Sequence, residues 1–504
     1  MSEYRVMPKT DRLPAALYTV AQVRELDRLA IQRFGIPGAE LMARAGGAAF
    51  ALGRERWPEA RRWCVLAGTG NNGGDGFVVA RLAAEAGLEV QVLQLGERDR
   101  IAGDARRHAE RWAETGRPWR DFEGALPRDA DLIVDAMLGT GLERDLEGIW
   151  REAVAAVNAH PAPVLAVDVP SGLDADRGRV LGEAVCAAAT ISFIGLKRGL
   201  FTGDAVDCCG EIFFDALEVP AAVYASQVLS ARRVDWAQQR TFLRPRRRGA
   251  HKGDFGHVLV VGGDHGFGGA VRLAGEGAAR AGAGLVSVVT RKRHLPGLLA
   301  AVPELMGHAT ARREVPDRLL HRADVLVLGP GLGREGWGRR LFAQLLDRPG
   351  PQVLDADALN LLAREKPRRR DDRVLTPHPG EAARLLQSSV EEVQADRFAA
   401  VEALQQRYGG TVVLKGAGTL VLGPGQRPVA VCSDGNPGMA SGGMGDVLSG
   451  VIGGLMAQGW SPEEAAELGV CLHAAAGDAA AATGGERGLL ASDLAPFIRR
   501  LGNP

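Results

Sequence analysis

A chain of 504 residues has room for about two to four domains at roughly 100 to 200 residues each. Its 61 Lys plus Arg balance 61 Asp plus Glu, which excludes the overall basic charge of a dedicated nucleic-acid or anionic-membrane binder. A hydrophobic content of 46% with 24% charged residues excludes disorder as the dominant state.

Glycine is in excess, 67 residues against a usual roughly 7%, so the fold relies on tight turns. Aromatic residues make up only 5%, which argues against a base-stacking surface. The six cysteines, Cys64, Cys186, Cys208, Cys209, Cys432 and Cys471, show neither a zinc-site spacing nor a disulfide framework. Met1 to Leu17 carries charges and prolines rather than an apolar run, and no run approaches the roughly 18 apolar residues of a membrane span, so neither export nor membrane insertion is expected. A cytoplasmic protein with no membrane or nucleic-acid partner is expected.

Thr19 and Gln22 form a capping box that opens the first helix, and Val20, Val23, Leu26 and Ala30 recur at helical spacing until Gly35. Pro37 opens a second helix toward Trp57. Apolar runs at Trp63–Ala67, Glu89–Leu95, Asp131–Asp135, Val164–Val169 and Thr190–Ile194 read as strands of a mostly parallel sheet. The character changes between about Val219 and Gly256, and a boundary near Ser230 divides the chain into domains 1–229 and 230–504. Beyond it, His257–Val261, Leu285–Val289, Val325–Leu328, Gln352–Leu354, Val374–Thr376 and Val412–Leu414 read as buried strands. Helices are predicted over Leu273–Ala281 and Val390–Arg407, and Ser461-Pro462-Glu463-Glu464 caps a long alanine-rich helix to about Ala482. The fold class is α/β in both domains.

In the first domain, the turn Gly68-Thr69-Gly70-Asn71-Asn72-Gly73-Gly74-Asp75-Gly76 leaves a strand and opens a helix, a setting that favours anions. Its match to G-x-G-x-x-G is weak alone, but two amides and a carboxylate add oxygens that a dinucleotide turn does not need. Asp135, Asp168 and Ser171 stand at strand ends, which meet at one crevice in open α/β sheets. Hard oxygen ligands there suit an alkali or alkaline-earth ion; helix or turn capping is the structural alternative. Lys197 reads either as a solvated lysine or as a proton-transfer group.

In the second domain, Asn436-Pro437-Gly438-Met439-Ala440-Ser441-Gly442-Gly443-Met444-Gly445-Asp446 is a glycine nest entering a helix. It offers an anion hole, with an aspartate able to take a proton from a hydroxyl attacking phosphorus. No G-x-x-x-x-G-K-[ST] motif occurs, so the chemistry is not of the P-loop type. Gly262-Gly263-Asp264, Gly329 to Gly333, Asp355-Ala356-Asp357, Thr376 to Glu381 and Lys415 to Thr419 stand at further strand ends.

Over nearly the whole first block these motifs resemble the NAD(P)H-hydrate epimerase domain, which implies a Rossmann-like three-layer αβα fold. The resemblance rests on Gly35 to Gly38, Gly68 to Gly76, Asp135 to Gly141, Val167 to Gly172 and the Lys197 segment. It implies hydrate contacts from Asn71, Asn72, Gly73, Gly74, Asp75, Gly139, Thr140, Gly141, Leu142, Glu143, Arg144, Asp145 and Asp168. It also implies potassium held by Asn72, Asp135 and Ser171, with Asp168 and Lys197 as the acid–base candidates. The second block resembles the ADP- or ATP-dependent NAD(P)H-hydrate dehydratase, a ribokinase-like α/β domain, through His251 to Gly256, Gly329 to Gly333, the His378 and Lys415 segments and Asn436 to Gly450. This implies hydrate contacts from Ala270, Gly331, His378 and Asp446, nucleotide contacts from Lys415, Gly416, Ala417, Gly418, Thr419 and Gly445, and Asp446 as catalytic base. Together the two resemblances imply a bifunctional repair enzyme for hydrated NADH and NADPH. It would use ADP with magnesium in the second domain and assemble as a homo-oligomer. The rival reading is an NAD-binding oxidoreductase domain fused to a sugar or vitamin kinase.

Overall fold

The computed structural model describes residues 13–142, 144–310 and 314–504. The chain divides into two compact units, the first ending at Arg232 and the second spanning Arg233–Pro504.

The first unit carries β1 (Ala16–Tyr18), β2 (Arg62–Ala67), β3 (Glu89–Gln94), β4 (Trp119–Asp121), β5 (Leu132–Ala136) and β6 (Val164–Val167), then the hairpin strands β7 (Leu173–Asp174) and β8 (Arg179–Val180), and finally β9 (Ala189–Phe193), β10 (Leu196–Lys197) and β11 (Glu211–Asp215). Seven of these form one sheet in the order β11-β9-β6-β5-β2-β3-β4, with every neighbouring pair parallel. Side chains alternate across a strand, so each central strand feeds two cores. Trp63, Val65 and Ala67 join the core that includes Phe50, Phe77 and Val78. Cys64 and Leu66 join the opposite core with Ala153, Val154 and Val157. Helices Gly38–Arg56 and Asn71–Glu85 pack on the first face and helix Gly148–Ala159 on the second, which makes the three-layer αβα arrangement expected from sequence. Outside this sheet, β10 runs parallel to β1 with Lys197 opposite Tyr18.

After β12 (Ala231–Val234), the second unit carries β13 (His257–Val261), β14 (Leu285–Thr290), β15 (Met306–Ala309), β16 (Val325–Leu328), β17 (Gln352–Leu354), β18 (Arg373–Leu375), β19 (Thr411–Leu414), β20 (Leu420–Leu422) and β21 (Val429–Cys432). The strands run in the order β21-β20-β19-β18-β17-β16-β13-β14-β15, antiparallel only where β20 meets its two neighbours. Val258, Val260, Val325, Val327, Val353, Val374 and Val413 face one core, shared with Val447, Val451 and Ile452 of helix Met444–Ala457.

The predicted helix over Val390–Arg407 is instead two helices, Val390–Ala395 and Arg397–Tyr408. The break is Asp396, whose backbone leaves the helical region at φ −148° and ψ 88° and whose side chain accepts from Ala399 N at 2.9 Å, capping a new helix start. Asp135, read from the sequence as a strand-end residue open to the crevice, lies inside β5 and is fully buried.

Helix Gly268–Arg280 and helix Met444–Ala457 pack backbone to backbone, because a Cβ on Gly450 would lie 2.0 Å from Ala274 O and one on Gly454 2.6 Å from Ala278 O. This contact fixes the helix that carries Asp446. Gly450→Ala is expected to destabilise the second unit by about 1–3 kcal/mol through overpacking, read from denaturant midpoints; an unchanged midpoint would show that the helices separate freely.

Candidate active sites

The first unit holds a cleft of about 510 Å³ lined from the turn Thr69 to Asn72, from Asp75, from Met137 to Gly141, and from Asp168 and Lys197. It opens where β2, β5 and β6 end, the position that parallel sheets reserve for ligands. Asp168 has φ +68°, a left-handed backbone that a non-glycine residue adopts only when its surroundings impose it; its N–H donates to Ile191 O at 2.7 Å. Lys197 is only 1% exposed and ion-pairs with Asp168. Its Nζ also donates to Ser192 Oγ at 3.1 Å and to Phe193 O at 3.4 Å. The sequence left Lys197 between a solvated and a functional lysine; burial in this network rules out the solvated reading.

Asp75 reaches the same cleft, and burial pushes its carboxyl well above the ordinary range, reinforced by the charges of Asp168 and Asp27. Gly73 and Gly74 are buried in the helix behind the turn, with Met42 Sδ filling the space beside Gly74. Gly139, Thr140 and Gly141 line the cleft. Leu142 is half-buried beyond it, Arg144 and Asp145 are exposed, and Glu143 lies outside the described residues.

Asp135 accepts from Ser171 N at 2.8 Å, from Ser171 Oγ at 2.6 Å and from Met137 N at 3.2 Å. Burial raises its pKa to about 6 against these hydrogen bonds. Asn72 is buried with neither side-chain amide atom hydrogen-bonded, an orphan of the kind that buried polar groups avoid. Asn72 and Asp168 both flank Gly139, whose Cβ position lies 3.4 Å from Asn72 Cβ and 3.6 Å from Asp168 Oδ2.

Sequence reasoning missed Asp27, Arg24 and Asp104, which also line the cleft. Their signal was slight, since a charged residue on an amphipathic helix is ordinarily solvated.

In the second unit, Lys415 Nζ donates to Asp355 Oδ1 at 2.9 Å and stands 3.9 Å from Glu381 Oε2. Thr376 Oγ1 donates to the same Asp355 oxygen at 2.9 Å. Although burial works to lower the Lys415 pKa, the two carboxylates raise it. Asp446 sits in the first turn of helix Met444–Ala457, after Gly443 with φ +95°. Burial above all raises its pKa to about 7, with Asp355, Glu381 and Asp357 adding and Lys415 opposing.

His378 caps helix Pro379–Leu386: its Nδ1 accepts from Gly380 N at 3.0 Å, and Glu381 Oε2 accepts from its N–H at 2.9 Å. Its ring is 51% exposed and 3.5 Å from Glu381 Oε1, so it serves as a cap and still presents an edge. Gly331 lies against Ala270, its Cβ position 3.2 Å from that residue's Cβ. Gly445 faces Lys415 Nζ at 3.1 Å from its own Cβ position. Thr419 Oγ1 donates to Gly416 O at 2.9 Å, which closes the Lys415–Thr419 turn. The structure thus brings Lys415, Gly445 and Asp446 together with Asp355 and Glu381.

A Rossmann-like unit with a lysine–carboxylate cleft and a ribokinase-like unit with a glycine nest before a desolvated aspartate define a two-domain α/β enzyme. The sequence relationships agree with both halves. Residues 38–199 match the family described as YjeF-related protein N-terminus, and residues 258–500 match the family described as NAD(P)H-hydrate dehydratase. The chain is 50% identical over 488 residues to a bifunctional NAD(P)H-hydrate repair enzyme of Coxiella burnetii, spanning 97% of this chain and 99% of that one. It is 45% identical over 504 residues to the enzyme of the same name from Escherichia coli, spanning 100% and 97%. A ribokinase-like superfamily protein of Enterococcus faecalis superposes with a TM-score of 0.50 at 27% identity, over 55% of this chain and 96% of that one. The chain belongs to the bifunctional NAD(P)H-hydrate repair enzymes.

A raised carboxyl pKa in the folded state makes ionisation a cost to stability as pH rises from the ordinary 3.8 to about 7. Asp446→Asn is therefore expected to match the parent's stability near pH 4, to gain on it up to about pH 7 and to hold that lead above. Urea midpoints across a pH series check this; a gap independent of pH would contradict the desolvation of Asp446.

Proposed function

We propose that the first unit interconverts the R and S forms of hydrated NADH and NADPH at C6, and that the second unit dehydrates the S form using ADP. The hydroxyl on C6 stands beside the ring nitrogen, so the hydrate is a hemiaminal whose stereocentre is lost when nitrogen expels oxygen. Hydroxide leaves poorly and phosphate leaves well. In the second unit, ionised Asp446 takes the proton of the C6 hydroxyl as that oxygen attacks the terminal phosphorus of ADP and AMP departs. The free N–H groups at the start of helix Met444–Ala457 and the Lys415 ammonium stabilise the charge on the transferring group. The C6–O bond then breaks, phosphate carries away the electron pair, and loss of a proton from C5 restores the double bond. Lys415 to Thr419 and Gly445 hold the nucleotide, while Ala270, Gly331 and His378 border the hydrate. The carboxylates Asp355, Asp357 and Asp446 suit magnesium travelling with the ADP phosphates.

In the first unit, Asp168 and Lys197 carry the acid–base work. Asn72, Asp135 and Ser171 would hold potassium, and the fit is chemical: the orphaned Asn72 amide and the Asp135 carboxylate, which retains lone-pair capacity beyond its three hydrogen bonds, are hard oxygen donors. A bound cation there would supply positive charge that orders the substrate-side loops.

The observation that carries the proposal is Asp446, desolvated at a helix N-terminus within the Asp355–Glu381–Lys415 cluster. Asp446→Asn keeps the size and removes the base, so ADP-dependent dehydration is expected to fall about 10²- to 10⁴-fold while epimerisation persists. The assay is NADH absorbance with chromatographic separation of the epimers. Near-normal dehydration by the folded variant would remove Asp446 from the mechanism. Asp135→Asn, which keeps volume and loses charge, is expected to shift the epimerase's dependence on potassium to higher concentration; an unchanged dependence would make Asp135 structural only.

A further inference from the structure

Inverting a hemiaminal carbon by loss and return of its hydroxyl needs a proton donor when oxygen leaves and a proton acceptor when water returns from the other face. The Asp168–Lys197 pair cannot move between faces. Its aspartate is held in a left-handed backbone conformation, and its lysine is buried and tied to Ser192 and Phe193. The second group must come from another element of the cleft.

Three further carboxylates line it. Asp104 lies in the first turn of helix Gly103–Ala113 and is engaged by Arg107 at 3.3 Å. Asp75 lies behind the anion turn, on the wall that also carries Asn72. Asp27 stands on helix Val20–Gln32, whose Val23, Leu26 and Ala30 are buried, and Val23, Asp27 and Ile31, four residues apart, all face the cleft. It therefore stands on an element of its own, neither the strand end that carries Asp168 nor the helix that carries Asp75.

Resting on the epimerase reading, we propose that Asp27 is the second proton-transfer group of this cleft, donating to the C6 hydroxyl on one face while Asp168 accepts from water on the other. The Asp27 proton passes to the departing oxygen, the C6–O electron pair leaves as water, and the nitrogen lone pair forms the C6–N iminium. Water adds to the opposite face and its proton goes to Asp168. One water leaves, one enters, and proton exchange with bulk water, off Asp168 and onto Asp27, resets the site for the next turnover. The charges agree: burial raises the Asp27 carboxyl above its ordinary range, the Asp168 charge adds to this, and Lys197 opposes it. The remaining charged groups facing the cleft are Arg24, occupied with Thr140 O at 3.0 Å, Asp75 and Asp104.

The test uses the full chain, one purified hydrate epimer, potassium and ¹⁸O-enriched water. Asp27→Asn is expected to lower epimerisation kcat about 10²- to 10⁴-fold with little change in KM. The limb of the pH profile that reports the donor should vanish, and label uptake should fall in step with the rate. Asp27→Glu should restore part of the rate, and ADP-dependent dehydration of the S epimer certifies the fold of each variant. Asp27→Asn with the parent's rate and pH profile would overturn the proposal, as would unlabelled product from a parent enzyme that epimerises. A parent that does not epimerise at all would overturn the function assigned to the first unit instead.

Discussion

A buried ammonium is stable only when a carboxylate meets it, since desolvating either ion alone costs several kcal/mol. Both units are organised around that constraint. Lys197 is held by Asp168 and Lys415 by Asp355, and each pair sits at the ends of parallel strands. In each case the lysine opposes the effect of burial on the carboxyls around it. Asp168 and Lys197 act in opposite directions on Asp27 and Asp75, while Asp355 and Lys415 do so on Asp446. For Asp446 the balance of burial against one nearby cation brings the carboxyl to about 7, the range in which a general base works best.

The scaffold explains how these groups are held. Asp168 follows the fully buried β6, and Lys197 belongs to β10, fixed by its pairing with β1. Asp446 is positioned by a helix whose glycines lie against the backbone of helix Gly268–Arg280. The large glycine content of the chain therefore has a use beyond turns, because it allows helix backbones to touch and fixes a helix N-terminus relative to the sheet. The two units offer different surroundings, a cleft at the strand ends lined by carboxylates in the first and a helix start suited to anions in the second.

Much of this was legible in the sequence, for identifiable reasons. Continuous apolar runs such as His257–Val261 and Val325–Leu328 coincide with strands buried on both faces, and the boxes at Thr19 and Ser461 mark true helix starts. The short strands β1, β4, β10, β20 and β21 escaped because two to four residues carry no period. Asp396 was hidden because a single capping aspartate inside a helical pattern looks like a surface residue. Asp446 stood out as a candidate because a glycine nest precedes its helix, and Asp168 and Lys197 because each follows an apolar strand run. Asp27 did not, since its place in the cleft comes from where the helix Val20–Gln32 lies, which no local motif records. Glu381 stood in a quoted motif, yet its contact with Lys415 depends on the alignment of two strands distant in sequence.

The central claim, that the two units act in series on one molecule, is tested most directly with the pure R hydrate of NADH. Incubated with the intact chain, potassium and magnesium but no nucleotide, it is expected to equilibrate with the S form and yield no NADH. Addition of ADP should then convert the whole pool to NADH, with one AMP and one phosphate formed for each. NADH formed before ADP is added, or an R hydrate left unconsumed after it, would contradict the account.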